Sequence, residues 1–179
     1  MPSSGPRRHR CASPGFTLIE LIIVVCIVVL CAALLLDRLR FYQEAAEKAV
    51  MEYTVATLKS ALQLRVAAML VRGEEKNIGS LARANPVDWL MEPPVGYRGE
   101  FRAPQPAVPP GSWYFDATRN ELVYVPNLDA HLERLPDGSK RLRFRVRFSF
   151  EPAEPDSEPR RFSGMGVEAV TPYTWFYRQ

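Results

Sequence analysis

An uninterrupted apolar segment, residues 16–36, constrains the fold of this 179-residue chain more than any other feature. A basic, polar head ends at Gly15, and the apolar segment follows it directly. As a helix, the segment would be about 31 Å long, which matches a bilayer core of roughly 30 Å. It contains one acidic residue, Glu20, close to its start. A carboxylate inside a membrane span costs up to about 3 kcal/mol, so Glu20 is expected to have a function and a partner.

The junction between head and apolar segment carries a specific order of residues, which is Gly15-Phe16-Thr17-Leu18-Ile19-Glu20-Leu21. It resembles the type III signal of type IV prepilins and of the pseudopilins of type II secretion systems. The resemblance implies that prepilin peptidase cuts between Gly15 and Phe16 and methylates the new amino terminus on Phe16. An ordinary secretory signal has its cleavage site after the apolar stretch, whereas here the apolar helix would stay in the mature protein.

Cleavage would also create a partner for Glu20. The freed α-amine of Phe16 would have an ordinary pKa of about 7.7 to 8 and would be mostly protonated. The resemblance implies that this amine lies against Glu20 of a neighbouring subunit, where the two charges compensate each other. Glu20 would then set the register of assembly with other pilins or pseudopilins, on an inner-membrane assembly platform. The alternative is an uncleaved single-pass anchor whose Glu20 snorkels toward the interface.

Charge predicts the location of the chain. Three of its 23 basic residues, Arg7, Arg8 and Arg10, lie in the head, and the remainder is close to neutral. A nucleic-acid partner therefore does not follow from composition, although composition does not exclude one. Positive charge holds the head on the cytoplasmic side. We therefore expect a single-pass protein of the bacterial inner membrane. Its periplasmic part, about 143 residues, is long enough for one domain with its own core.

The helix is predicted to continue over residues 37–72 and to stop at Gly73, because this stretch has no proline or glycine. Apolar and small residues recur at helical spacing, at Leu39, Tyr42, Ala46, Val50, Tyr53, Thr57, Leu64, Ala68 and Val71. Leu58, Leu62 and Met69 widen the apolar surface, which indicates packing on a sheet. Major pilins usually have a proline where this chain has Asp37, and this departure favours a minor, low-copy subunit.

The rest of the chain predicts a proline-rich connection followed by strands. Residues 73–111 form the connection, with a turn or cap at Asn85-Pro86, and residues 112–179 form the sheet. Segments 112–115 and 121–125 predict a hairpin, 141–150 alternates as a half-buried strand, and 166–170 is a last strand. The fold class is therefore α+β and pilin-like. A long N-terminal helix, membrane-spanning in its first half, packs on a three- or four-stranded antiparallel sheet.

The polar face of the long strand can be interpreted in two ways. Its basic residues include Arg143, Arg145 and Arg147. They could bind an acidic partner, which makes the alternative function a minor pilin whose exposed sheet binds DNA, a surface or secreted cargo. Ordinary solvation is favoured, with Glu121, Glu151 or Glu168 as cross-strand neighbours.

No catalytic constellation is predicted, and the chain is not expected to be an enzyme or to bind a cofactor. His131 is the one histidine outside the head, and the motifs for a nucleophile elbow, a phosphate loop and a zinc helix are missing. Cys26 and Cys31 face different directions on the apolar helix, so no disulfide or cysteine metal site is predicted. The acidic loop 151–159 raises calcium, but its prolines and irregular spacing favour a solvated loop.

Overall fold

A computed structural model describes residues 17–102, 108–150 and 162–176. Its helices are α1, which spans Leu18–Val71, and two short 3-10 helices at Glu75–Arg83 and Pro86–Trp89. The strands are β1 (Tyr97–Phe101), β2 (Ser112–Asp116), β3 (Glu121–Val125), β4 (Leu142–Phe150) and β5 (Phe162–Ala169). The α+β class and the long N-terminal helix are confirmed. The described residues fall into two compact units, divided between Phe41 and Tyr42, and each is described by itself below.

The first unit contains the apolar beginning of α1. Its described large apolar side chains, from Leu18 to Leu36, are exposed. The most apolar window of 18 residues has a mean hydropathy of 3.3, and none of it is buried. The helix is therefore long and apolar enough to cross a membrane once.

In the second unit, α1 stops at a glycine, as the sequence predicts. Gly73 has a φ of +74°, in the left-handed region that glycine adopts without a Cβ penalty. Its N–H donates to the carbonyl of Leu70 at 3.0 Å, and the N–H of Glu74 donates to the carbonyl of Met69 at 2.9 Å. This pair of bonds is the Schellman motif, which satisfies carbonyl groups that the helix end leaves open.

The sheet has five strands in sequential order. The predicted hairpin of β2 and β3 is confirmed, with Trp113 opposite Tyr124, and β4 and β5 extend the sheet in antiparallel pairs. The predicted strand count and fully antiparallel character are wrong, because β1 is a fifth strand and pairs with β2 in parallel. The sequence of β1 hides it: Gly99, at φ +102°, interrupts a short segment without β-branched residues.

The second half of α1 packs on this sheet, and two clusters form the core. Near the middle of the helix, Met51 and Leu58 join Trp113, Leu122 and Phe144 of the strands. Toward the end of α1, a second cluster of buried residues includes Leu62, Val66, Met69, Ile78 and Val146. Leu58, Leu62 and Met69 are thus buried, as their position suggested. Other members of the predicted periodicity, including Val50, Tyr53, Leu64 and Val71, are exposed.

Candidate functional site

The predicted cleavage and methylation residues, Gly15 and Phe16, lie outside the described residues. The description begins at Thr17, whose Oγ1 accepts a hydrogen bond from the backbone N–H of Glu20 at 3.3 Å. Thr17 therefore caps α1, and Thr17-Leu18-Ile19-Glu20 has the threonine and glutamate spacing of a capping box. Glu20 is the acidic residue in the first turn, where the positive end of the helix dipole favours a carboxylate. Sequence reasoning missed this local role, although the spacing of Thr17 and Glu20 indicates it.

The three arginines on β4 that the sequence singles out each have a carboxylate neighbour in their own chain. Arg143 Nη2 lies 2.6 Å from Asp137 Oδ2, and Arg147 Nε lies 3.7 Å from Glu168 Oε2. Glu168 was among the expected neighbours; Asp137, in the turn before β4, was not. These carboxylates neutralise the positive charge that would attract an acidic partner.

Arg145 makes the tightest of the three pairs. Its Nη2 lies 2.5 Å from Oε1 of Glu121, another expected neighbour, whose side chain is 4% exposed. Glu121 Oε2 and Arg145 Nε have no hydrogen-bond partner. The third expected neighbour, Glu151, and the candidate calcium loop, residues 151–159, lie outside the described residues. The face of β4 is thus a row of ion pairs, and in one of them the carboxylate is buried.

A buried glutamate of α1 binds the C-terminal part of the domain. Glu44 is 2% exposed, and its carboxylate accepts hydrogen bonds from the indole N–H of Trp175 at 2.9 Å and from the backbone N–H of His131 at 2.9 Å. Nδ1 of His131 lies 2.7 Å from its second oxygen. Burial acts to raise the pKa of Glu44, but the bonds from His131 and Trp175 outweigh burial, and the pKa lies below its usual value.

Glu47, one turn further along α1, makes a second set of such contacts. Its carboxylate accepts from the Tyr124 hydroxyl at 2.7 Å and from the backbone N–H groups of Asn127 and Leu128 at 2.5 and 2.9 Å. Burial and the neighbouring carboxylate raise the pKa of Tyr124. Sequence reasoning missed both glutamates, although Glu44, Glu47 and Met51 are spaced to share one helix face. All these contacts are internal, so both carboxylates hold the helix to its domain.

A shallow depression of about 470 Å³ lies beside the second 3-10 helix and the turn after β2. One of its polar side chains, Asn85, is already engaged: it donates to the hydroxyl of Tyr97 at 2.7 Å and accepts from the N–H of Val87 at 3.1 Å. Across residues 17–102, 108–150 and 162–176, no group of His, Cys, Asp and Glu could hold a metal ion.

Comparisons of the chain with protein-family models, with curated proteins and with solved structures found no match. The functional interpretation accordingly rests on the residues and contacts of the chain itself. Two features carry it, the exposed apolar beginning of α1 and the packing of its later turns on the sheet.

Proposed function

We propose that this chain is a pilin-like structural subunit that prepilin peptidase processes between Gly15 and Phe16. The mature subunit assembles into a type II secretion pseudopilus or a type IV pilus. The observation that carries the proposal is the division of α1, a 54-residue helix whose apolar beginning is exposed and whose later turns pack on a sheet. An exposed apolar helix needs either a bilayer or the helices of neighbouring subunits around it.

Glu20 gives the assembly its register under this proposal. Lipid tails and apolar side chains offer a helix similar surroundings, so moving α1 from the bilayer into a bundle gains little from hydrophobicity alone. A charge pair between Glu20 and the methylated amine of Phe16 in a neighbouring subunit distinguishes one register from the next. Asp37 in place of the usual proline supports a minor, low-copy position in the filament.

The alternative, a minor pilin whose sheet binds DNA, a surface or cargo, has less support. The arginines at 143, 145 and 147 are each engaged by a carboxylate, and Arg145 is held by a buried one. A ligand would have to displace these partners. Reversing the charge of Arg147, the most exposed of the three, tests the alternative. Loss of binding to DNA, a surface or cargo, with filament assembly intact, would favour it.

Processing is tested by intact-mass and N-terminal peptide mass spectrometry on the membrane-extracted protein, with and without prepilin peptidase. We expect a mature chain that begins at N-methyl-Phe16 and that disappears when the peptidase is removed. A chain that still carries residues 1–15 in the presence of active peptidase would refute the proposal and leave an uncleaved anchor.

Assembly is tested at Glu20 with two variants. Glutamine is accepted at the third helical position of a capping box, so Glu20→Gln keeps a side chain that can complete the box and removes the charge, whereas Glu20→Ala removes both. The bond from the backbone N–H of residue 20 to Thr17 Oγ1 needs neither side chain. We expect both variants to be cleaved and both to be lost from sheared filaments. Incorporation of Glu20→Gln at the wild-type level would show that the filament does not require the charge pair.

A further inference from the structure

Two arginines, Arg38 and Arg40, lie on α1 directly after its apolar beginning. The last residue of the apolar segment is Leu36, and at a rise of about 1.5 Å per residue the two arginines lie about 3 and 6 Å further along the helix axis. Each headgroup layer of a bilayer is about 5–7 Å thick, which is half the difference between the whole bilayer and its hydrocarbon core. When the apolar segment spans the core, both arginines therefore lie at the depth of the lipid headgroups.

Both arginines are exposed, and the rest of the chain does not balance their charge. None of the described residues forms an ion pair with Arg38 or Arg40. Glu44, the next acidic residue along α1, is buried, and its carboxylate is bonded within the second unit. Asp37 precedes Arg38 in the sequence, but it supplies one negative charge for two positive ones. The segment therefore keeps a positive charge that a partner outside the chain can bind.

The side of the membrane on which this charge lies also needs a reason. Lysine and arginine close to a span are normally kept on the cytoplasmic side, where the head already places Arg7, Arg8 and Arg10. In the predicted orientation, Arg38 and Arg40 lie on the opposite side, where they weaken the bias that the head sets. Orientation therefore does not account for the two arginines, whereas a counter-charge in the headgroup layer does.

We propose that Arg38 and Arg40 bind the phosphate groups of anionic phospholipids, each arginine a separate lipid. On a helix the two residues point about 160° apart, so they cannot hold one phosphate together. A guanidinium group forms charge-assisted, often bidentate bonds with phosphate oxygens, and its aliphatic stem lets it follow the headgroup. Phosphatidylcholine neutralises its phosphate with its own ammonium group, whereas phosphatidylglycerol does not. The inference rests on the membrane anchoring in the proposed function, but not on cleavage or filament assembly.

Native mass spectrometry of the full, uncleaved chain in lipid nanodiscs tests the proposal. Each disc holds one copy of the chain in equal parts of phosphatidylglycerol and phosphatidylcholine, and the lipids that stay bound on release from the disc are counted. Because the head would attract anionic lipid too, it is first neutralised in every sample by three substitutions, Arg7→Gln, Arg8→Gln and Arg10→Gln. An arginine at an anionic membrane surface should then favour phosphatidylglycerol over phosphatidylcholine by about fivefold.

The variants separate the two arginines from the other charges of α1. Arg38→Gln and Arg40→Gln should each remove about half of the bound phosphatidylglycerol, because the two arginines contact different lipids. The double variant should bind both lipids equally. The matched control, Lys59→Gln with Arg65→Gln, removes the same charge from exposed residues well past the apolar segment and should keep the preference. Circular dichroism of each variant checks that the helix content is unchanged, which is expected because these side chains are exposed.

Equal binding of the two lipids by the parent chain would overturn the proposal. Since each disc holds one copy, that result would leave an acidic group of another chain as the partner of the arginines. A preference that survives in the double variant, or that disappears in the control, would also overturn it. The discs contain no prepilin peptidase and no neighbouring subunit, so failure of cleavage or of assembly would leave this result unaffected. A chain that does not enter the discs would refute the anchoring itself, and the lipid contact with it.

Discussion

Removal of the Glu44 carboxylate should destabilise the domain more than any exposed substitution on α1. In Glu44→Ala, the indole N–H of Trp175 loses its acceptor in a place where water does not reach, since Trp175 is 2% exposed. A buried donor left in this way costs about 1–3 kcal/mol. His131 is half-exposed and can recover hydrogen bonds from water, so its two contacts add less. We expect a total loss of about 3 kcal/mol.

Denaturant unfolding of the full chain in detergent, followed by near-ultraviolet circular dichroism of the tryptophans, measures this loss. Glu52→Ala is the matched control on the same helix. Glu52 is exposed, and its Oε1 lies 3.8 Å from Nζ of Lys48 in an i,i+4 ion pair. That pair is worth about 0.5 kcal/mol or less. A free energy of unfolding for Glu44→Ala within about 0.5 kcal/mol of the wild-type value would refute the reasoning. That difference is about the precision of such measurements.

The same contact predicts a pH dependence. The pKa of Glu44 is lowered in the folded state, so the folded chain binds a proton there less readily than the unfolded chain. Its contribution is therefore complete above the ordinary glutamate pKa of about 4.3 and is lost as the pH falls through the folded value. The stability difference between wild type and Glu44→Ala should be constant near neutral pH and should shrink in acid. A difference that grows in acid would contradict the assigned sign.

Two further predictions concern the sheet. Gly96→Ala should lower the free energy of unfolding by about 2 kcal/mol or more, because Gly96 has φ +80° and an added Cβ would lie 2.5 Å from the carbonyl oxygen of Gly111. Gly79 has open space around it, so Gly79→Ala should be close to neutral in the same unfolding experiment. Arg145→Leu should cost about 2–3 kcal/mol by leaving the buried Glu121 without its counter-charge, whereas Arg147→Leu should change stability by less than about 0.5 kcal/mol. Equal losses at Arg145 and Arg147 would contradict the difference in burial.

The elements that were predicted correctly are those whose own residue pattern matches the way in which they pack. The long strand alternates over residues 142–150, and Leu142, Phe144 and Val146 are buried as the alternation requires. The helix stop at Gly73 was equally clear. In contrast, β1 depends on pairing with β2 rather than on its own residues, and no local pattern reveals such a partner.

Polar contacts between residues that are distant in sequence were the other feature that could not be predicted. Glu44 meets His131 and Trp175 across 87 and 131 residues of sequence, and glutamates on a helix are usually solvated. The helical spacing of Glu44 and Glu47 relative to Met51 was the available signal, but it does not name the donors. The predicted arginine face was closer to the structure, because cross-strand neighbours follow from strand order once the hairpin is placed.

Glu20 connects local structure with the proposed assembly. A lone carboxylate in a bilayer needs a partner, yet this one lies in the first turn of α1, where the positive end of the helix dipole lowers its cost in the single subunit. Under the proposed function, a methylated amine from a second subunit would add an attraction that the dipole, being spread over the backbone N–H groups of the first turn, does not satisfy. In that proposal, the position that lowers the cost of the acid before assembly also leaves it able to select a register during assembly.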